Sequence, residues 1–146
     1  MKTIHFQIAT PEKVVFDALE VESISLPTKM GEITVLPDHL PIVASLVPGE
    51  ARVKISGQEV LMAVSGGFIE VRPGKVVVLA DSAERAEDID EARAEQARQK
   101  AQELLSQNKT ETIDYTGLAV KLEKELARLR VVRKHRTKAI GPRIEQ

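Results

Sequence analysis

Six consecutive residues near the middle of the chain place acidic and basic side chains at helical spacing: Ile89-Asp90-Glu91-Ala92-Arg93-Ala94. In a helix Asp90 and Arg93 are neighbours, because residues three apart lie on one face. Lys100 follows two turns later on the Arg93 face. The segment therefore combines a carboxylate with two cations at the start of a candidate helix.

A second group of cations shares one helical face farther along the chain: Lys121, Lys124 and Arg128. If the two helices pack antiparallel, cations from both converge, and a chain of phosphates is the ligand that such a group suits. Charge spacing by itself favours the alternative, which is a solvated helix face with ordinary ion pairs.

Residues suited to catalysis or metal binding are few. Three histidines, no cysteine and no histidine-rich spacing argue against a metal site. Asp38-His39 is an adjacent acid–base pair, but Pro37 and Pro41 flank it and favour a turn. The sequence contains neither a P-loop nor G-x-G-x-x-G. Because a third catalytic group is missing, an enzyme based on Asp38-His39 is disfavoured.

The end of the chain is strongly basic, with seven Lys and Arg against one acid from Arg128 onward. We call residues 128–138 the basic tail. Its cations are Arg128, Arg130, Arg133, Lys134, Arg136 and Lys138. A nucleic acid, a membrane surface and an acidic protein are candidate partners. Tyr115 is the only aromatic residue after Phe68, which gives base stacking little support. The alternative is a solvated helix end.

Composition and charge indicate a small chain with two unlike halves. Of its 146 residues 42% are hydrophobic and only 3% aromatic, so the core is aliphatic. Residues 1–87 carry 8 Lys and Arg against 12 Asp and Glu, a net charge of −4. Residues 88–146 carry 13 against 10, a net charge of +3. We expect no signal peptide and no membrane span, since no apolar run approaches about 18 residues.

The first half of the chain has the pattern of short β-strands. Ile4, Phe6 and Ile8 alternate with polar residues, as in a half-buried strand. Turn signals rich in Pro and Gly recur about every ten residues and leave no room for a helix. Eight or more strands are expected, which predicts an antiparallel β-sandwich or flattened barrel.

After residue 87 a helical period replaces the alternation. Asp88 is expected to cap the first helix, with Glu91 closing a capping box, and Asp114 to cap the second. The predicted apolar stripes are Ala94, Ala97, Ala101, Leu104 and Leu105, then Tyr115, Leu118, Leu122, Leu126 and Leu129. The predicted fold is therefore α+β, with a sandwich in residues 1–87 and an antiparallel two-helix hairpin in residues 88–146. An Ala-rich seam and Gly117 weaken this hairpin, which suits a switch.

Three segments together resemble the epsilon subunit of the F-type ATP synthase. Residues 31–41, GEITVLPDHLP, are similar to that family's G-E-x-x-V-L-P-x-H-x-P signature. Residues 65–71, SGGFIEV, resemble its S-G-G-F-x-E-V strand, and residues 78–94 run from VLAD into IDEARA. Their order agrees with the family over about residues 3–132, whereas residues 133–146 are a basic extension without a match in its pattern.

The resemblance implies a ten-stranded β-sandwich followed by two helices, in a rotor subunit of the central stalk that is not itself an enzyme. The implied partners are the gamma subunit, the c-ring and the catalytic alpha and beta subunits, with no nucleic acid. Membrane association is implied only through the complex, at the cytoplasmic face of the bacterial inner membrane. No cofactor is obligatory, and ATP is implied as a regulatory ligand.

The resemblance also assigns site residues. Lys29, Gly31, Glu32 and His39 match positions at the rotor-ring and gamma contacts. The implied nucleotide-binding residues are Glu84, Ile89, Asp90, Arg93, Ala94, Lys100, Lys124 and Arg128. Lys100 and Lys124 stand where the best ATP binders of the family carry arginine. Lysine lacks the bidentate guanidinium, so weaker binding is expected.

The leading hypothesis is a regulatory subunit of a proton-translocating synthase. The sandwich anchors on the rotor, and the helical hairpin inhibits ATP hydrolysis. ATP favours the compact hairpin, and without ATP the basic tail contacts acidic segments of the catalytic subunits. Three alternatives remain: a free-standing binding module with a dimerising hairpin, a small enzyme using Asp38-His39, and an RNA-binding tail.

Overall fold

The computed structural model describes the backbone of residues 2–107 and 115–140, and the side chains of residues 2–107 and 116–137. The first part of the chain is made of β-strands. The strands are β1 (Ile4–Ala9), β2 (Val14–Val21), β3 (Ser23–Thr28), β4 (Gly31–Val35), β5 (Ile42–Ser45), β6 (Gly49–Ile55), β7 (Gln58–Arg72) and β8 (Lys75–Arg85). The described residues thus form eight strands where about ten were expected, because β7 and β8 are long, with 15 and 11 residues.

The strands form one sheet that folds over on itself, in the order β2-β1-β8-β7-β6-β3-β4. Strand β7 takes part in both layers: its first half pairs with β6 and its second half with β5. Strand β2 contacts β6 although the two are not neighbours in the sheet. The β-sandwich predicted from the sequence is confirmed.

The fold-over lies at Gly66 and Gly67, inside the SGGF motif. Both have positive φ, 67° and 103°, which L-residues with a side chain rarely adopt. The register with β8 stays in step here, with Ser65 opposite Ser82 and Gly67 opposite Ala80, and a Cβ on Gly66 would collide with the side chain of Asp81. A Cβ on Gly67 would collide with the backbone carbonyl oxygen of Leu79. The two glycines allow β7 to bend and change layers.

The core between the layers is aliphatic, as the composition predicted. Ile4, Phe6 and Ile8 are buried while their neighbours are not, which confirms the alternation expected for β1. Phe6 and Phe16 pack with ring centroids 5.9 Å apart. The remaining large buried side chains are aliphatic: Ile24, Leu26, Met62, Ile69, Val21, Val35, Val53, Val64 and Val76.

Two helices follow a short 3₁₀ turn at Ala86–Asp88, namely α1 (Glu91–Gln107) and α2 (Tyr115–Ile140). The predicted cap at Asp88 is wrong. Asp90 caps α1, since its backbone oxygen accepts from Ala94 N at 3.0 Å and its Oδ1 accepts from Arg93 N at 3.2 Å. Ile89 is extended, at φ −82° and ψ 126°, so α1 cannot begin earlier. Asp114, the predicted cap of α2, lies outside the described residues.

The two helices run antiparallel, because the C-terminal half of α2 pairs with the N-terminal half of α1. This confirms the predicted hairpin. Along the predicted stripes Ala94, Ala101 and Leu129 are buried, and the other members with described side chains are half-buried. Ala127 and Val131, which the predicted stripe omitted, are also buried.

Helix α2 also packs on the outside of the sandwich. Val131 is fully buried in a second apolar cluster with Leu61 and Ala63 of β7. Ala86 and Ile89 complete this cluster at the start of the helical part. The hairpin therefore lies against β6 and β7, which sequence periodicity did not show.

Candidate functional site

The Ile89–Ala94 segment divides its residues between packing and solvent. Ile89 and Ala94 are buried, at 7% and 0% exposure. Asp90 and Arg93 point outward, with Asp90 Oδ2 3.9 Å from Arg93 Nε and the Arg93 side chain 84% exposed. The predicted Asp90–Arg93 neighbourhood is confirmed, but the Asp90 carboxylate is used as a helix cap. Arg93 is available to a ligand.

The structure brings Glu84 of β8 to Arg128 of α2. Arg128 Nη2 lies 3.2 Å from Glu84 Oε2, and Nη1 lies 2.6 Å from Glu125 Oε1. The Glu125 side chain is only 6% exposed. Burying a lone carboxylate is costly, so the contact with Arg128 offsets the burial of Glu125. The sequence interpretation missed Glu125, although its i,i+3 spacing from Arg128 was a signal.

The other two proposed nucleotide-binding cations are farther from this arrangement. Lys100 is exposed on α1 and Lys124 is half-buried on α2. Within the described part of the chain, no hydrogen bond or ion pair joins either lysine to the remaining candidates. The predicted neighbourhood of Asp90 and Arg93 is therefore formed, and the structure adds a contact between Glu84 and Arg128 that was not predicted. The predicted convergence of Lys100 and Lys124 with these residues is not formed.

The predicted rotor-contact residues Lys29 and Gly31 form the tight turn between β3 and β4. Thr28 Oγ1 donates to Gly31 O at 2.6 Å and accepts from Met30 N at 3.1 Å. Gly31 has φ 105°, which glycine adopts without strain. The turn presents Lys29 and an almost fully exposed Met30 to solvent. Met30 was not among the predicted residues.

Glu32 is held by an arginine from a different strand. Arg52 donates from Nη2 to Glu32 Oε1 at 2.6 Å and from Nη1 to Glu32 Oε2 at 2.9 Å. The same Nη1 donates to Glu50 Oε1 at 3.0 Å. The hydrogen bonds from Glu32, and then from Glu50, raise the pKa of Arg52 above its ordinary value. The Glu32 side chain is thus fixed in position in the free chain.

His39 and Asp38 form a turn and not an acid–base pair. His39 Nδ1 lies 2.7 Å from Leu40 O, and Asp38 accepts from Lys2 Nζ at 2.9 Å. Asp38 has φ 70°, a value that Asp tolerates in turns. The cavity beside them measures about 10 Å³, room for one water at most. Its geometry supports the turn interpretation.

Cations of the basic tail lie on α2 and are paired with carboxylates of the same chain. Arg136 Nη1 lies 2.7 Å from Glu91 Oε1, and Arg133 lies 3.3 Å from Glu91 and 3.4 Å from Glu95. Lys134 Nζ lies 2.9 Å from Glu50 Oε1. We call these contacts the tail ion pairs.

Two tail cations differ from this group. Arg130 is exposed and makes no hydrogen bond or ion pair with the described residues. The side chain of Lys138 lies outside the described residues.

Comparison with known proteins gives matching families for both parts of the chain, over residues 3–133. The family described as "ATP synthase, Delta/Epsilon chain, beta-sandwich domain" matches residues 3–86. The companion family "ATP synthase, Delta/Epsilon chain, long alpha-helix domain" matches residues 87–133. The ATP synthase epsilon chain of Chloroflexus aggregans is 45% identical over 135 residues, covering 92% of this chain and 96% of that one. The chain belongs to the epsilon-subunit family of the F-type ATP synthases.

Further relatives agree with this membership. The ATP synthase epsilon chain of Bacillus subtilis is 48% identical over 112 residues, 77% of this chain and 84% of that one. Among solved structures, a chain of the Euglena gracilis mitochondrial ATP synthase, described as OSCP/F1/c-ring in rotational state 1, superposes with a TM-score of 0.74 at 26% identity. That match covers 86% of this chain and 80% of the other. A chain of the Tetrahymena thermophila mitochondrial ATP synthase shares the fold alone, with a TM-score of 0.53 and 12% identity.

Epsilon-family chains are accessory subunits of the stalk and not catalytic, which excludes the enzyme reading of Asp38-His39. In residues 2–107 and 116–137, no group of three acidic or histidine side chains is arranged to hold a metal ion. No helix in the described part of this chain is both long and apolar enough to cross a membrane.

An apolar surface on the sandwich was missed by the sequence interpretation of this epsilon-family chain. Phe68 of β7 and Leu79 of β8 lie directly opposite each other, and each is 60% exposed. Val43, on the neighbouring strand β5, is also exposed. Phe68 was quoted within the SGGF motif, but alternation along β7 cannot tell an exposed face from the face covered by α2.

A cleft of about 480 Å³ lies between α1, α2 and β6. Leu126 and Leu129 form its apolar wall, and the charged residues around it are Glu50, Arg98, Arg130, Arg133 and Lys134. Arg98 bonds Glu95 at 2.7 Å, and this contact lowers the pKa of Glu95. Of the other rim cations, Arg98 is paired within α1, Arg133 is paired with α1 from α2, and Lys134 is paired with β6.

Proposed function

We propose that this chain is a rotor subunit in the central stalk of a proton-translocating ATP synthase. Residues 1–87 anchor it on the gamma subunit and the c-ring. Residues 88–146 form a mobile helical part that inhibits ATP hydrolysis by the catalytic alpha and beta subunits. The complex sits at the cytoplasmic face of the bacterial inner membrane, and the chain reaches the membrane only through that complex.

The tail ion pairs carry this proposal. Arg133, Lys134 and Arg136 are the cations expected to contact acidic segments of the catalytic subunits, and in the compact chain all three are bound to its own carboxylates. A partner surface that takes all three must compete with these carboxylates, and release of α2 from the sandwich and from α1 removes that competition. The compact chain is therefore the state that does not inhibit.

The equilibrium between the compact chain and the chain with α2 released from the sandwich can be regulated. Exposed ion pairs contribute about 0–1 kcal/mol each, and the buried residues of α1 are alanines that cover little area. A partner or ligand with a few kcal/mol of differential affinity therefore shifts the equilibrium.

ATP suits the compact state as a regulatory ligand. The exposed Arg93 at the start of α1 and Arg128 on α2 are cations from two different elements. A phosphate chain that contacts both holds the two helices together. It must displace Glu84 or Glu125 from Arg128, and lysines replace arginines at positions 100 and 124, so we expect modest affinity.

The anchoring surface has two parts. The β3–β4 turn, with Lys29 and Glu32, offers charged groups suited to polar loops of the c-ring. The Phe68–Leu79 pair offers an apolar surface suited to the gamma subunit. The Euglena chain that superposes on this one comes from an assembly whose title names F1 and the c-ring, which supports these partners.

Add-back to the cognate catalytic core depleted of this subunit tests the proposal. The full chain should bind and inhibit ATP hydrolysis, whereas residues 1–87 should bind without inhibiting. If both inhibit equally, the helical part is not the inhibitor. If neither binds, the anchoring role is wrong.

A further inference from the structure

Four alternating charges connect the β3–β4 turn region to the basic tail. Arg52 donates to both oxygens of Glu32 at 2.6 and 2.9 Å, and to Glu50 Oε1 at 3.0 Å. Lys134 donates to the same Glu50 oxygen at 2.9 Å. A residue proposed for the rotor ring and a residue proposed for inhibition are thus joined by two intermediate side chains. We call Glu32, Arg52, Glu50 and Lys134 the charge relay.

The strands fix the geometry of the first half of the relay. Arg52 lies opposite Ser25 of β3, which lies opposite Thr34 of β4. Ser25 Oγ and Thr34 Oγ1 are hydrogen-bonded at 2.9 Å. Glu32 is two residues from Thr34 and so shares its face. The Arg52 side chain therefore crosses β3 to reach Glu32.

The docking of α2 fixes the second half. Glu50 lies opposite Ala63, and Arg52 lies opposite Leu61. Leu61 and Ala63 are the residues on which Val131 packs. Lys134 follows Val131 by three residues on α2 and so faces the same way. The bond between Lys134 and Glu50 exists only while α2 lies on this face.

The middle of the relay is shielded and its ends are open. The side chains of Glu50 and Arg52 are 14% and 27% exposed, and those of Lys134 and Glu32 are 43% and 45% exposed. The central contacts are less screened by salt than surface pairs. Both end groups remain accessible to partners.

The two central side chains of the relay each make two contacts through one atom. Arg52 Nη1 donates to both Glu32 and Glu50, and Glu50 Oε1 accepts from both Arg52 and Lys134. If Arg52 loses Glu32, its two terminal nitrogens become available to Glu50, where they compete with Lys134, while Arg52 Nε stays 3.9 Å from Glu59 Oε2. Neutralising the Glu32 carboxylate also removes a negative charge near Lys134, which further weakens the electrostatic attraction that holds Lys134 at Glu50.

We propose that Arg52 couples occupancy of Glu32 to release of α2 at Lys134. A partner cation that takes the Glu32 carboxylate turns Arg52 towards Glu50, and Glu50 then holds Lys134 less tightly. By reciprocity, docking of Lys134 strengthens the hold of Arg52 on Glu32 and lowers the affinity of Glu32 for the partner cation. This inference rests on the proposed function, which assigns the ring contact to Glu32 and inhibition to α2.

Amide hydrogen exchange in α2 of the isolated full chain tests the coupling, because it reports the free energy of local opening. Glu32→Gln stands for an occupied Glu32, and we expect it to speed exchange across residues 127–137 by about twofold to fivefold. Arg52→Gln leaves Glu50 to Lys134 alone, so exchange should slow. In the Arg52→Gln background, the additional change Glu32→Gln should not alter the exchange rate of α2 any further.

Matched variants separate coupling from general loss of charge. Glu70→Gln removes a carboxylate from an exposed pair with Arg72, 3.2 Å long, on the same sandwich but outside the relay, and should leave the rate unchanged. Arg52→Lys keeps the charge without the two-pronged geometry and should also abolish the response to Glu32→Gln. An equal effect of Glu32→Gln in the wild-type and Arg52→Gln backgrounds overturns the proposal, as does no effect in the wild type.

The relay and the proposed function fail separately. Coupling through Arg52 is measured without any partner, whereas inhibition is measured by add-back to the catalytic core. A chain that inhibits ATP hydrolysis but shows no Arg52-dependent exchange overturns the relay alone. A chain that shows the coupling without inhibiting keeps the relay and overturns the regulatory function.

Discussion

Glu91 Oε1 lies 2.7 Å from Nη1 of Arg136, although the two residues are 45 positions apart. Glu91 is the first residue of α1 and Arg136 lies near the end of α2. The sequence interpretation used Glu91 to close a capping box. The structure uses it instead to hold a cation of the basic tail, so the start of α1 and the end of α2 are tied together.

Removing the acidic partners of the tail should strengthen inhibition. Glu91→Gln combined with Glu95→Gln weakens the contacts of Arg133 and Arg136 while keeping both cations for a partner. We expect about a twofold to tenfold lower concentration for half-inhibition of ATP hydrolysis, since each exposed pair contributes up to about 1 kcal/mol. Glu103→Gln, a neutralisation at an exposed position of α1, is the control. Unchanged or weaker inhibition would argue against the tail ion pairs as the restraint.

This choice of residues follows from the structure. Charge reversal of Arg133, Lys134 and Arg136 would release α2 and also remove the charges that contact the catalytic subunits. Release of α2 should strengthen inhibition and loss of the contacting charges should weaken it, so the net change in inhibition by the charge-reversed chain has no predicted direction. Changing the carboxylates of α1 separates them.

Nucleotide binding should depend on the charge of Asp90 and Arg93 and not on the helix cap. Asp90→Ala removes a cap contributing about 1 kcal/mol, so a loss of binding there has two explanations. Asp90→Asn keeps a good cap and removes the charge. Calorimetry with ATP should show binding lost or weakened more than fivefold in Asp90→Asn and Arg93→Ala. Binding that survives both would exclude this segment as the site.

Stability should be very sensitive to a side chain at Gly67. Gly67→Ala adds a Cβ that meets the carbonyl oxygen of Leu79 at φ 103°. We expect a loss of about 3 kcal/mol or more in the free energy of unfolding, measured with urea. Gly74→Ala, at φ 73° with open space around it, should cost only about 1 kcal/mol. Equal losses in the two variants would mean that the close approach of Gly67 to the Leu79 backbone is not required for β7 to fold.

Binding to the gamma subunit should depend on the exposed Phe68–Leu79 pair. Phe68→Ser removes apolar surface that is open in the free chain, so the unfolding free energy should change little while affinity falls about tenfold or more. Leu19→Ser, at an exposed apolar position on β2, is the control and should leave affinity intact. Full affinity of the Phe68→Ser chain would mean that the gamma subunit contacts a different surface of the sandwich.

Local patterns predicted the elements well and their contacts less well. Alternation around Phe6 and the helical stripe around Ala101 report which face is buried, since burial follows the period of each element. They do not report what covers that face. Val131 was omitted from the predicted stripe because it is buried against Leu61 of the sandwich, outside the α1–α2 seam.

The candidate site shows the same division. The spacing of Asp90 and Arg93 and their position at the start of a helix followed from sequence. The pairing of Glu84 with Arg128 depends on how α2 docks on the sandwich, which no local spacing encodes. The sharing of Glu50 by Arg52 and Lys134 depends on both sheet register and docking. Contacts of this kind require the tertiary structure.

The most direct test of the two-state account is to fix α2 on the sandwich. The chain has no cysteine, so Glu50→Cys with Lys134→Cys gives a unique pair that a short bis-maleimide can bridge. The bridged chain should bind the depleted catalytic core without inhibiting ATP hydrolysis, whereas the same variant blocked with a monofunctional maleimide should inhibit. Inhibition by the bridged chain equal to that of the blocked chain would contradict the claim that α2 must leave the sandwich.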